Sequence, residues 1–207
     1  MDVPSDLPDL PPLTIPVKHK TSSNYLLGLP AMKALIGEYP TDLFFLLESR
    51  NKLPPELSFD KWPVSPPAAD IRRDVADELV ATFFATGHQN HPILDRDEFQ
   101  QVYTQFWETG PDSSIGSALC MVIFAIGTVA GANPDPNVFS NTPPGMQYMQ
   151  YAMPTLISLS SWSFSYSLLL PQALVLASIY FAYIVRPLQS WRLIYSASTI
   201  LQFKLSG

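Results

Sequence analysis

Apolar residues recur every third or fourth position through most of the chain after Ala68. In AADIRRDVADELVATFFATG, Ile71, Val75, Leu79 and Phe83 are spaced by four, and Val80 and Phe84 widen that face. Arg72, Arg73, Asp74, Asp77 and Glu78 fall mostly elsewhere, which predicts an amphipathic helix. Gly87 is expected to end it as a C-cap. A second helix is expected from about Asp95 to Glu108, with Phe99, Val102, Tyr103 and Phe106 on one side. SSIGSALCMVIFAIGTVAG and SLLLPQALVLASIYFAYIV are apolar all round, so each is either a buried helix or a membrane helix. Between them NPDPNVFSNTPPG reads as a loop and MQYMQYAMPTLISL as a helix carrying a proline. The last helix, in RPLQSWRLIYSASTILQFKL, has Pro187 at its first position, where proline is favoured. Its Leu188, Trp191, Tyr195, Ser198, Leu201 and Leu205 follow a three-four spacing, and Trp191, Tyr195 and Leu201 are expected in the core or at an interface. No period-two strand of useful length is present. The expected fold class is all-α, a partial bundle of about six to seven helices.

The first 67 residues differ in kind, holding 12 of the 21 prolines. Residues 1–23 have no apolar period and read as a disordered proline-rich leader. Residues 24–67 read as a proline-rich lead-in with one short helix, TDLFFLLESR, for which Thr41 is the expected N-cap. The following connector is expected to lie on a surface through Phe59 and Trp62. Residues 68–207 form the helical domain, expected to be incomplete at its C-terminus.

Charge narrows the picture further. Charged residues make up only 14% of the 207 positions, well below the usual quarter. Residues 1–112 hold 17 of the 18 acids, and no charged residue lies between Asp135 and Arg186. So long an uncharged run requires burial, against other parts of the chain or a larger assembly. Residues 115–132 and 168–185 are also near the lower length limit for membrane spans. Against that reading, glycines and hydroxyls interrupt the first and Pro171–Gln172 the second. The net charge of -6 opposes direct nucleic-acid binding, which needs clustered Lys and Arg. The lone Cys120 excludes an internal disulfide or a cysteine-based zinc cluster within these residues. No signal peptide is visible, so a cytoplasmic or nuclear location is expected.

Candidate chemistry concentrates in GHQNHPILDRDEF, residues 87–99. His88, His91 and Asp95 have metal-like spacing for a helix, but Gly87 and Pro92 interrupt it, and a residue before proline avoids α geometry. Asp95 followed by Glu98 matches a capping box, and Asp97 suits the helix dipole. Gly87, His91, Pro92, Asp95 and Glu98 therefore read as a turn and helix cap. Ile93 or Leu94 is expected to staple the helix entry. There is no G-x-S-x-G, phosphate loop or H-E-x-x-H. No catalytic, cofactor or metal residue is assigned, and no enzyme activity is expected. An enzyme using His88, His91 and Asp95 is the weakest reading.

Three ordered segments resemble the fungal-specific transcription factor domain. DELVATFFATGHQNHPILDRDEFQQVY is similar to its helix with an aromatic pair, H-x-x-H-P-I-L turn and following F-x-x-x-Y helix. ALCMVIFAIGTVAG resembles its apolar helix with a cysteine and small residues. LLLPQALVLASIYFAYIVRPLQSWRLIYSASTILQ looks like its Q-A-L helix, break and R-P-x-x-A-W helix. NYLLGLPAMKALIGEYPTDLFFLLESR is similar to the family's lead-in, so the resemblance spans residues 24–205. It implies a helical regulatory module that follows a six-cysteine zinc cluster in family members. Here the cluster is absent, and the chain stops where members continue. The expectation is thus a truncated regulator without its own DNA-binding domain, nuclear, acting through a related regulator or self-association. Metabolic or secondary-metabolite genes are the expected targets. A two-span membrane protein and a non-functional gene fragment are the alternatives.

Overall fold

The computed structural model describes residues 23–40, 42–50, 52, 71–131, 142–163 and 167–206. The proline-rich leader before Ser23, Thr41, and the connector carrying Phe59 and Trp62 lie outside the described residues. The described residues are helical, with no strand among them, so the fold is all-α.

The chain divides into two compact units between Leu47 and Glu48. In the first, α1 (Ser23–Leu27) and α2 (Pro30–Ile36) form a short pair, with Pro30 at the start of α2 and Gly37 closing it at φ +85°. The division falls within α3 (Leu43–Arg50).

The second unit contains α4 (Arg73–Thr82), a π turn (Phe83–Gly87), α5 (His88–Asn90), α6 (Arg96–Thr109), α7 (Ile115–Gly131), α8 (Met146–Trp162), α9 (Leu169–Tyr183) and α10 (Pro187–Ser206). Helix α7 is the hub. It packs against α4, the π turn, α6, α8 and α9. All residues from Ser117 to Gly127 are buried, as an all-apolar helix demands. Phe124 meets rings from two sides, with Tyr103 and Phe106 of α6 at 6.2 and 5.8 Å and Tyr148 of α8 at 5.6 Å between centroids. Such edge-to-face pairs add to the burial of each ring.

The membrane alternative is corrected here. Among the described residues no helix is long and apolar enough to cross a membrane. Helix α7 has 17 residues and α9 has 15, which at 1.5 Å per residue gives about 25 and about 22 Å. A bilayer core is about 30 Å thick. Both helices spend their apolar surface on neighbouring helices: Ala173, Leu174, Ala177 and Tyr180 of α9 are as inaccessible as the centre of α7.

Two glycines set the spacing around α7. A Cβ on Gly127 would lie 2.3 Å from the Leu79 carbonyl oxygen, so α4 crosses α7 with backbone against backbone. Gly145, at φ +77°, starts α8, and a Cβ there would lie 2.6 Å from the Ala125 oxygen. These approaches leave no room for a side chain.

The corner between α9 and α10 is strained. Val185 has φ +56°, the left-handed position that normally takes glycine at a helix C-terminus. The Arg186 N–H donates to Phe181 O at 2.8 Å, and the Val185 N–H to Ala182 O at 3.1 Å. These bonds satisfy the end of α9 and hold the β-branched Val185 in place despite its Cβ clash.

Gly127→Ala is expected to lower stability by about 3 kcal/mol, the upper range for overpacking, as read from the urea midpoint at unchanged slope. Val185→Gly is expected to raise stability by about 1 kcal/mol through relief of left-handed strain. A lower midpoint for the latter variant would contradict the proposed strain.

Candidate functional site

The stretch from Gly87 to Phe99 holds two histidines and three carboxylates, and its geometry begins one helix earlier. The α4 rod does not stop at Gly87. Its hydrogen bonding widens to the π pattern, with the His88 N–H donating to Phe83 O. The rod continues to Asn90, and the His91 N–H still donates to Gly87 O at 3.2 Å. Gly87 has ordinary helical angles, φ -63° and ψ -46°. Its expected role as a C-cap is therefore corrected. A Cβ there would come within 3.2 Å of Ile126 Cγ2 and 3.3 Å of the Phe83 ring, so Gly87 serves close packing against α7. The helix ends at His91, whose φ of -137° leaves the helical region.

The extra residue in the π turn places His88 against two rings. Its imidazole lies 5.0 Å from Phe84 and 5.9 Å from Phe83 between centroids. Its Nε2 lies 2.8 Å from Leu94 O. A carbonyl only accepts, so Nε2 carries the proton and donates. Pro92 centres a tight turn in which the Ile93 N–H donates to His91 O at 2.8 Å. Proline's fixed φ suits that geometry. A second side chain reaches in from far along the chain: Gln172 Nε2 of α9 donates to Ile93 O at 3.1 Å. Two successive carbonyls of the turn are thus held, one by His88 and one by Gln172.

Asp95 is the N-cap of α6, at φ -74° and ψ 132°. Its Oδ1 accepts from the N–H groups of Asp97 and Glu98, each at 2.9 Å. Glu98 contributes its backbone to this cap, and its carboxylate lies with Asp97 in the first turn, where negative charge is favourable. Leu94 before the cap and Phe99 after it are both in the core, the arrangement of a hydrophobic staple.

Other polar groups also hold backbone or one another. Tyr103 OH donates to Asp77 Oδ1 at 2.6 Å, tying α6 to α4. Burial, then the bond to Asp77, pushes the Tyr103 phenol well above its ordinary range, so it remains a donor. Tyr180 OH donates to Pro144 O at 2.9 Å. Asp112 Oδ1 accepts from the Ser114 N–H and the Ser117 hydroxyl at the start of α7, and hydrogen bonding from the Ser114 and then the Ser117 side chain holds its carboxyl below the ordinary range. Burial pushes the Cys120 thiol up, which keeps it protonated and unreactive. Among the described residues no group of three or more His, Cys, Asp or Glu side chains converges as a metal site.

Helix α10 presents a different kind of candidate. Leu193 and Ala197 are buried, and α10 packs mainly on α9. Trp191 and Tyr195 lie on the opposite side, 58% and 57% exposed, with their rings stacked at 5.7 Å and 27°. They are not core residues, because the packing face belongs to Leu193 and Ala197. Leu201 is half-buried at the margin.

The placement of the turn against α9 and α7 joins segments that are far apart in sequence. A family model described as the fungal specific transcription factor domain matches residues 80–206, which include the π turn, the capped turn, Gln172 and α10. The chain belongs to this family. The match begins at Val80, so the lead-in of residues 24–67 and the start of the helical domain, residues 68–79, lie outside it. No curated protein and no solved structure matches the chain.

Within this transcription factor domain, sequence reading passed over Gln172. It counted only as a polar residue unsuited to a membrane. The available signal was its isolation in a charge-free helix, because a half-buried amide still needs partners. Which carbonyl it meets depends on the chain path.

Gln172→Glu is expected to cost about 2 kcal/mol, because a carboxylate cannot donate and leaves Ile93 O unpaired. Asp95→Ala is expected to cost about 1 kcal/mol, a typical loss of an exposed N-cap. Chemical denaturation checks both, and a Glu variant no weaker than the Ala variant at residue 95 would contradict the role given to Gln172.

Proposed function

We propose that these residues act as a transcription-regulatory module in the nucleus through association with protein rather than by reading DNA. The family match over residues 80–206 carries this reading. It is supported by where the polar groups are used. His88, Gln172, Asp95 and Tyr180 all bind backbone and Tyr103 binds the Asp77 carboxylate, while Trp191 and Tyr195 are left on the outside. A net charge of -6 and a single cysteine add that the 207 residues lack both the cationic surface and the six-cysteine cluster for DNA contact. The family is one of transcription factors and not of enzymes. We further propose that the genes affected are metabolic or secondary-metabolite genes, and that the partner is a related regulator or a second copy.

The test is a reporter in a fungal host. The 207-residue chain is expressed with a nuclear-localisation control and, separately, fused to a heterologous DNA-binding domain. A severalfold change in reporter transcription is expected from the fusion, and transcript profiling of the unfused chain is expected to show altered metabolic genes. A fusion without effect, together with unchanged transcripts, would refute the reading.

A further inference from the structure

The strained corner between α9 and α10 meets a charge from far along the chain. No acid occurs after Asp135, so none of α8, α9 and α10 carries one. The guanidinium of Arg186 at this corner therefore has no counter-charge in its own part of the sequence. Glu48, near the end of α3, supplies it. Glu48 Oε1 lies 3.9 Å from Arg186 Nη1, with the side chains 8 and 22% exposed. Both residues belong to the same compact unit. A carboxylate this far from water needs a cation beside it, because burial penalises a charge far more than a neutral polar group. At 3.9 Å the contact is electrostatic and falls short of a hydrogen bond. Arg186 Nη1 and, in the first turn of α10, Gln189 Oε1 are shielded from solvent and find no hydrogen-bond partner among the described residues.

We propose that Glu48 and Arg186 form a latch that keeps the start of α10 on α9, and that its release opens the corner at Val185. The closed corner carries two costs. Val185 sits at φ +56°, where the Cβ of an L-residue crowds the following carbonyl. The shielded polar atoms of Arg186 and Gln189 add the second. Opening relieves both, since Val185 returns to an ordinary backbone region and the polar atoms meet water. Opposing it are the ion pair and the burial of Leu193 and Ala197 where α10 packs on α9. The motion is local: the first turns of α10 lift from α9 while the rest of the helix stays packed. A strained corner held by a removable contact has two states, and the contact selects between them. Arg186 lies inside the matched residues 80–206 and Glu48 outside them. An acid from outside the matched domain thus sets the state of the domain's last corner, and displacement of the end of α3 frees it. The latch stands on its own, apart from the regulatory reading.

Hydrogen–deuterium exchange of the full 207-residue chain tests the latch. Glu48→Gln keeps the shape of the side chain and removes its charge. The readout is residues 190–194, which open the hydrogen-bonded part of α10; the Ser190 N–H donates to Arg186 O at 3.1 Å. Their exchange is expected to quicken about tenfold in Glu48→Gln, between the effects of an exposed and a fully buried ion pair. Exchange in the buried centre of α7, from Ser117 to Gly127, is expected to stay unchanged. Adding Val185→Gly to Glu48→Gln is expected to slow the α10 amides back toward the parent rate, because glycine holds the left-handed corner without strain. A pair that only adds stability to the whole unit would speed α7 as well and would not be rescued at residue 185. Unchanged α10 exchange in Glu48→Gln, an equal rise in α7, or a double variant as fast as Glu48→Gln alone would overturn the proposal. Those outcomes leave the reporter result untouched, so failure of the latch is separable from failure of the regulatory reading.

Discussion

The close crossing of α4 and α7 at Gly127 is the constraint on which the remaining packing depends. Helix α7 has no polar face, so every direction around it must be filled by another helix. Backbone contact between Gly127 and Leu79 fixes how near α4 can come. That nearness brings the π turn onto Ile126 through Gly87, and with it the two phenylalanines and His88. The second close approach, Gly145 against Ala125, sets the start of α8 in the same way. Small residues at these points are a requirement of the spacing, and the aromatic rings around Phe124 fill the wider gaps farther from them.

Once the helices are so placed, the polar groups have little freedom. In the turn between α5 and α6, Pro92 is exposed, Ile93 half-buried and Leu94 buried, and the Ile93 and Leu94 carbonyls are not satisfied within a helix. His88 reaches Leu94 O from one side, and Gln172 reaches Ile93 O from the other. A buried carbonyl without a donor costs more than a typical hydrogen bond contributes, so these two side chains hold the loop that leads into α6. The Asp95 cap then starts the helix at the point this turn delivers. The cluster of two histidines and three carboxylates is thus a device for passing the chain from one helix to the next. Its chemistry is hydrogen bonding to backbone.

Helix α10 shows the opposite economy. It is held on α9 by Leu193 and Ala197, and the strained Val185 corner turns it back along α9. Its remaining apolar stripe satisfies no need of the described unit. A helix with two apolar sides is consistent with a module whose action depends on association, and it is the feature that separates this surface from the polar outer face of α6.

Much of this was legible beforehand, for reasons that lie in local chemistry. The four-residue period from Ile71 to Phe83 and the three-four stripe of α10 marked helices, because helix geometry is set over a single turn. Asp95 with Glu98 marked a helix start, since a cap involves only near neighbours. The charge-free run marked burial, and segment order marked the family. Other features depended on where distant segments meet. Gly87 looked like a helix end because glycine commonly is one, yet a neighbouring helix and not a backbone angle required it. Gln172 had no visible partner until α9 was set beside the turn. Trp191 and Tyr195 shared a face with Leu188 and Leu205, but the choice of which face α9 would cover fell to Leu193 and Ala197. Periodicity determines that a helix has apolar sides. Only the packed structure decides which side is buried, because that depends on the surface presented by another helix.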